Sequence, residues 1–428
     1  LINLRGYTML LYLLIPLVLL RLLWKGVKAP LYLRRWPERF GFFPDAKLDS
    51  SIWIHAVSVG ETQSALPLIR ELLAKYPQMP LVVTTTTPTG SRRVVEALGD
   101  KVAHCYFPYD LPGAVHRVLE RINPRLLLVM ETELWPNLYQ ACARRAIPLV
   151  VMNARLSLHS ERRYRWFGAL IGKTLGNITL VAAQSDTDAG RFIGLGADPA
   201  RVSVIGNLKF DLEVPEYCRR AGRQLRHALG EQRPVWAAVS THRGEEDLLL
   251  QAFATVRESV SNALLLLVPR HPERFPEVGR LCERRGWQTR RRSRCEAAPQ
   301  TFTGADIYLG DTMGEVLVLL AASDVAFVGG SLVPIGGHNV MEPAALGVPV
   351  CFGPHMHNFV DAGERLLQGG AGWRINDASE LAAWVQKMFA DPDVRKRASQ
   401  AGRHVVTINS GALRRLMAAV SRLLEQGV

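Results

Sequence analysis

SIWIHAVSVGETQSALPLIRELLAKYPQMPLVVTTT, residues 51–86, decides the fold. SIWIHAV, from Ser51, is a short apolar run of β-branched and aromatic residues, the mark of a strand buried on both faces. HAVSVGET turns the chain, with Gly60 allowing the tight turn and Glu61 opening a helix. ETQSALPLIRELLAKY has helical length and an amphipathic pattern, and PLVVTTT, from Pro80, is a second buried strand. Strand, helix and strand in this order form a βαβ unit, which implies a parallel sheet.

The unit repeats along the chain. RLLLVM (from Arg125), IPLVVM (from Ile147) and ITLVAAQ (from Ile178) are further apolar strands separated by helical segments. The alternation stops at GNLKFDLEVP, residues 206–215. A polar, arginine-rich helix then leads to a second series, PVWAAVST, ALLLLVPR, ADIYLG, DVAFVGG and VPVCFG. At 428 residues the chain is too long for one ordinary core. Two Rossmann-like domains facing across a cleft are therefore expected, at residues 51–212 and 213–428, with ligands at the carboxyl ends of the strands. A helical tail from Val394 is placed to cross back and brace the first half.

Residues 1–50 differ in kind. YTMLLYLLIPLVLL (Tyr7–Leu20) carries no charge, and Lys25, Lys28, Arg34, Arg35 and Arg39 follow it, against Arg5 before it. No small-residue cleavage site follows, so an uncleaved membrane anchor with a basic interfacial segment is expected rather than a signal peptide. The positive flank is expected to keep the body in the cytoplasm, with Trp24, Tyr32 and Trp36 at the interface. With Leu1 rather than Met at position 1, the start of the natural chain is expected to lie elsewhere.

Composition narrows the function. Apolar residues make up 48% and charged residues 21%, which suits ordered globular domains. The net charge of +13 points to anionic partners: nucleic acid, a phospholipid surface or an acidic small substrate. Cys105, Cys142, Cys218, Cys282, Cys295 and Cys351 share no C-x-x-C spacing, against a disulfide framework or zinc site.

Chemistry-bearing residues gather in loops after strands. Glu61 is either a first-turn helix residue favoured by the dipole or a general base removing a proton from an attacking hydroxyl. METELWPNL places Glu131 and Glu133 at a strand end, on one face if the strand continues, with Glu133 alternatively capping the helix near Trp135. Lys209 follows a strand in the crossover region, as a solvated cation or one neutralising charge in a cleft. NARLSLHSERRYRWF adds Arg155, Arg162, Arg163 and Arg165, either contacting an anionic acceptor or forming a solvated face. STHRGEE, from Ser240, suits a phosphate seat. VPRHPERF supplies Pro269, Arg270 and His271, and DTMGE supplies Met313, Gly314 and Glu315. Paired glycines at 329–330 and 336–337 allow close backbone approach to a ligand, and a helix near Asn339 would aim N–H groups at phosphate, with Val340, Met341 and Glu342 in its opening. The absence of a G-x-x-x-x-G-K-[ST] run argues against P-loop phosphoryl transfer. Asp186 and Asp188 are read as helix-start residues rather than a metal pair, and His355 and His357 as loop contacts, so no metal and no cofactor is expected.

Taken together, HAVSVGET, METELWPNL, NARLS, GNLKFD, STHRGEE, VPRHPERF, DTMGE and GGHNVMEPAALGVPV resemble, in this order and over nearly the whole chain, the Kdo transferases, which attach 3-deoxy-D-manno-octulosonic acid (Kdo) to lipid A precursors. The resemblance implies an α/β GT-B fold, a CMP-Kdo donor, inversion at the anomeric carbon and no bound metal. It makes Glu61 the base, Glu131 and Lys209 supports of the transition state, and Pro269, Arg270, Met313–Glu315 and Asn339–Glu342 the CMP-sugar contacts. It also accounts for the basic surface, since the donor carries a carboxylate and a phosphodiester and the acceptor is a phosphorylated lipid at the inner membrane surface, with no nucleic acid involved. The rivals are a GT-B envelope enzyme using a UDP-sugar and a non-catalytic basic protein binding membrane or nucleic acid.

Overall fold

The computed structural model describes residues 3–28, 30–43, 48–211, 214–294 and 304–426. Cys295 and the boundary expected at residue 212 lie outside them; the other five cysteines are buried thiols. The chain divides into two compact units, Leu1–Asp211 with Ser410–Val428, and Leu212–Asn409.

In the first unit the strands are β1 (Ser51–His55), β2 (Leu81–Thr85), β3 (Ala103–Tyr106), β4 (Pro124–Met130), β5 (Leu149–Ala154), β6 (Leu180–Ala183) and β7 (Val202–Val204). They form one sheet in the order β3-β2-β1-β4-β5-β6-β7, and every pairing is parallel. The period-two alternation of β1 sends Ile52 and Ile54 to one core and Trp53 to the other, so helices cover both faces. Strand order reverses between β1 and β4. That reversal is the switch point, where the loops leaving the strand ends part and open a crevice.

The second unit repeats the plan. Its strands are β8 (Val235–Thr241), β9 (Leu264–Pro269), β10 (Thr289–Arg291), β11 (Ile307–Leu309), β12 (Val325–Val328), β13 (Val350–Phe352) and β14 (Gly372–Arg374). The sheet runs β10-β11-β9-β8-β12-β13-β14, again all parallel, and its switch point lies between β8 and β12. Both units are thus Rossmann-like, the GT-B type of α/β architecture.

The expected division at 213–428 is corrected at its end. Helix Pro392–Asn409 stays with the second unit, but helix Ala412–Gln426 belongs to the first. Leu416, Val420 and Leu424 recur every fourth residue and bury one stripe in the core that holds Ile52 and Ile54. Arg415 donates to the Ile205 carbonyl (2.8 Å), and the Asp211 carboxylate accepts from the Gly411 and Leu413 N–H groups.

Helix Leu4–Lys28 is, over Leu4–Val27, long and apolar enough to cross a membrane, and very little of that stretch is buried. Its start is tied to the first unit: the Tyr7 hydroxyl donates to Asp110 (3.1 Å) and the Thr8 hydroxyl to the Asn137 side-chain oxygen (3.0 Å). Asp110, itself buried, also accepts from the Asn137 and Leu138 N–H groups and so caps helix Pro136–Arg144. Burial pushes its carboxyl up to about 7 against those bonds. Downstream, Glu38 pairs with Arg35 (2.6 Å) and accepts the Tyr106 N–H (2.9 Å), fastening the basic segment to the β3 edge.

Candidate functional site

At the first switch point, the loop leaving β1 enters helix Val59–Lys75 through Ser58, whose hydroxyl accepts the Glu61 N–H (3.3 Å). Glu61 reaches back. One carboxylate oxygen takes the Val57 N–H at 2.8 Å and the other the Ser58 hydroxyl at 3.1 Å. This is the reciprocal logic of a capping box, which fixes the carboxylate without shielding it from its neighbours. Burial is the largest influence on its acidity, and the repulsion of Glu131 and Glu133 adds to it. Together they outweigh the two hydrogen bonds and push the Glu61 carboxyl up to about 7. A carboxylate that gains and loses its proton near neutrality suits proton abstraction.

Glu131 does not continue β4. The strand ends at Met130, and Glu131 adopts a left-handed backbone (φ 56°) with its N–H on the Met152 carbonyl at 2.9 Å. The continued strand on which a shared face for Glu131 and Glu133 depended is therefore not formed, yet the charges of both carboxylates act on Glu61. Glu133 makes no side-chain cap either; its carbonyl accepts the Tyr139 hydroxyl. Burial, with repulsion from Glu131, pushes the Glu133 carboxyl up to about 7. Lys209 lies 3.6 Å from Glu131.

The device that places Lys209 was not singled out from the sequence. Asn153, near the end of β5, is buried with a left-handed backbone (φ 52°), and its side-chain oxygen accepts the Leu208 N–H at 3.0 Å. Asn207 then accepts the Lys209 N–H (2.9 Å), so two asparagines shape the turn bearing the lysine. Only the asparagine in NARLS signalled this, since Asn tolerates left-handed backbone better than most residues. Ser185 caps helix Asp186–Gly194, and Asp188 accepts the Leu156 N–H (2.9 Å), which confirms their helix-start reading. Arg162 and Arg163 are exposed on helix Leu158–Arg165, while Arg165 pairs with Glu161 at 2.6 Å.

In the second unit the loops after β8, β9 and β12 converge at the switch point. Glu245 is fully buried, and its two oxygens accept four backbone N–H groups: His242 (2.9 Å), Gly330 (2.7 Å), Ser331 (3.0 Å) and Leu332 (2.9 Å). The STHRGEE loop therefore supplies its own anion, which occupies part of the seat expected for phosphate. Gly329 is needed for protein packing, because a Cβ there would meet the Ser240 carbonyl oxygen at 2.6 Å and Thr241 Cα at 2.7 Å. Gly336 and Gly337 both donate to the Gly330 carbonyl, with a left-handed backbone at each.

Arg270 extends from the end of β9, its N–H on the Thr241 carbonyl at 3.0 Å, and its charge acts on Glu342 and His338. Glu342 takes a bond from Asn339 (3.3 Å), and burial raises its carboxyl. Helix Met341–Leu346 begins two residues after Asn339, and the Val340 and Met341 side chains are fully buried, leaving only their backbone to meet a ligand. Pro269 is likewise buried within β9. The Met313–Glu315 turn follows β11, one strand over. Met313 is exposed, Gly314 is left-handed, and Glu315 is engaged with Arg292 at 2.8 and 3.1 Å, which lowers its carboxyl. Two histidines escaped the sequence reading although their motifs were quoted, His242 and His338, which share a hydrogen bond of 2.8 Å.

The chain is similar to known proteins over most of its length. The profile of a family described as 3-deoxy-D-manno-octulosonic-acid transferase (kdotransferase) matches residues 34–212. The chain is 40% identical over 425 residues to the 3-deoxy-D-manno-octulosonic acid transferase of Haemophilus influenzae, covering 99% of both chains. It is 38% identical over 395 residues to that of Bordetella pertussis, covering 90% of each. Among solved structures, Anabaena Alr3699/HepE in complex with UDP superposes with a TM-score of 0.53 at 16% identity, covering 87% of this chain and 99% of that one, a likeness of fold.

Proposed function

Because the chain belongs to the 3-deoxy-D-manno-octulosonic-acid transferase family, we propose that it moves Kdo from CMP-Kdo to a phosphorylated lipid A precursor, inverting the anomeric centre without a bound metal. The first unit holds the acceptor and the second the CMP-sugar. The apolar helix Leu4–Lys28 and its basic flank keep the enzyme at the cytoplasmic face of the inner membrane, where the acceptor lies. The observation that carries the reading is the fixed Glu61 carboxylate at the first switch point, raised to about 7 by burial and by Glu131 and Glu133.

The step is a direct displacement. Glu61 takes the proton of an acceptor hydroxyl as that oxygen bonds to the anomeric carbon, and the bond to CMP breaks on the opposite face with its electron pair leaving on phosphate. Lys209, held by Glu131, and Arg270, beside Glu342, supply positive charge where negative charge develops. Asn339, Glu342 and the Met313–Glu315 turn hold the nucleotide.

Thermal-shift titration with CMP and UDP tests the donor half. CMP raises the melting temperature at concentrations where UDP leaves it unchanged; the reverse order overturns the donor assignment.

A further inference from the structure

The three loops at the second switch point each carry an imidazole: His242 after β8, His271 after β9 and His338 after β12. His242 and His338 meet through their Nε2 atoms at 2.8 Å, with ring planes 6° apart and centroids 5.1 Å apart. That is the geometry of two near-coplanar rings bonded tip to tip. The His271 ring lies edge-on to His242 at 5.2 Å and 81°.

The surrounding charges are unbalanced. Arg274 is taken up by the buried Glu246, at 2.5 and 3.2 Å. All four acceptor positions of Glu245 are filled by backbone N–H groups, so it offers the rings nothing more. Glu342 accepts a bond from Asn339 and feels the charge of Arg270, and Glu273 stands 3.9 Å from His271. Arg270 makes no ion pair among the described residues. We propose that His242, His271 and His338 complete, with Arg270, an anion seat for the phosphate or carboxylate of the donor, and that the His242–His338 pair takes up a proton as the anion arrives.

The hydrogen bond sets the stoichiometry. A single Nε2–H···Nε2 bond survives when one ring becomes imidazolium, because the partner still accepts. A second proton would set two N–H groups against each other. The pair therefore accommodates about one added charge. Without ligand, burial comes first and the neighbouring His242, Arg270 and His271 next in holding His338 down to about 4; burial, His271, Arg274 and Arg270 lower His242. An anion opposes each of these charge effects and raises both groups. The sign follows: affinity for the anion is greatest where the bound pair is protonated and falls as pH rises.

This inference rests on the reading of the second unit as the CMP-sugar half. Calorimetry of the full chain with cytidine 5′-methylphosphate tests it, because this phosphodiester has no titration of its own near neutrality. Heats are measured at pH 6.5 in buffers of different ionisation enthalpy. The expected result is uptake approaching one proton per ligand, declining towards zero by pH 9, with affinity weakening over the same range. A His242→Gln/His338→Gln variant that still binds should show no such uptake. Ligand binding by the wild-type chain with no proton uptake overturns the proposal and leaves the donor half standing. Failure to bind any cytidine phosphate overturns both.

Discussion

Replacing Glu61 with Gln is expected to abolish transfer and yet stabilise the first unit at alkaline pH. The Glu61 carboxyl is raised from 4.5 to about 7 in the folded chain. A folded value above the unfolded one means that the stability contributed by this group is full below 4.5 and is lost as pH rises through 7. The difference between 4.5 and about 7, at about 1.4 kcal/mol per pH unit, sets a ceiling of roughly 3–4 kcal/mol at pH 8. Gln keeps the shape and an oxygen for the Val57 N–H but carries no charge, so it escapes that cost. For a unit of this size each kcal/mol moves the melting temperature by about 2–4 °C. Thermal unfolding followed at pH 4 and pH 8 should show Glu61→Gln several degrees more stable at pH 8 and nearly level with wild type at pH 4. A variant less stable at pH 8, or one with the same increment at both pH values, refutes the burial and repulsion assigned to Glu61.

Other consequences follow from neighbouring contacts. The transfer rate at limiting substrate should fall about tenfold per pH unit below about 7, because the base must be ionised. Glu131→Gln removes a repelling charge and should move that limb to lower pH; an unmoved limb contradicts the coupling. Asn153→Ala removes the Leu208 bond from a left-handed position and should destabilise the first unit by about 1–3 kcal/mol in denaturant titration. It should also lower the transfer rate while leaving CMP affinity unchanged, whereas an equal loss of CMP binding contradicts the positioning of Lys209. Glu245→Gln sets an amide NH2 against backbone N–H groups and should cost about 3 kcal/mol or more in the second unit; an unaltered CMP affinity and melting temperature would show that Glu245 does not shape these loops.

Much of the architecture was legible in the sequence because buried parallel strands are continuous apolar runs. Ten of the fourteen strands among the described residues, from SIWIHAV to VPVCFG, announced themselves in this way. The four that did not, Ala103–Tyr106, Val202–Val204, Thr289–Arg291 and Gly372–Arg374, are the outer strands of the two sheets, three or four residues long. An edge strand is covered less and so needs fewer apolar residues, as TRR shows. The final helix carried a clear amphipathic pattern, but pattern reveals which face is buried and not against which unit. At the candidate sites, motif order singled out Glu61, Lys209, Arg270 and Glu342 for test. The left-handed turn at Glu131 was not legible, since Glu is not a residue that advertises positive φ. Nor was the meeting of His242 and His338, which are 96 residues apart and joined only by strand order.

The central claim, that Glu61 is the base of a Kdo transfer, is tested most directly by mass spectrometry of a lipid A precursor incubated with CMP-Kdo and the full chain. Wild-type protein should yield a product heavier by whole Kdo units. Glu61→Gln, folded and still binding CMP, should leave the precursor unchanged. Near-normal product from that variant, or no Kdo added by the wild-type protein, would contradict the account.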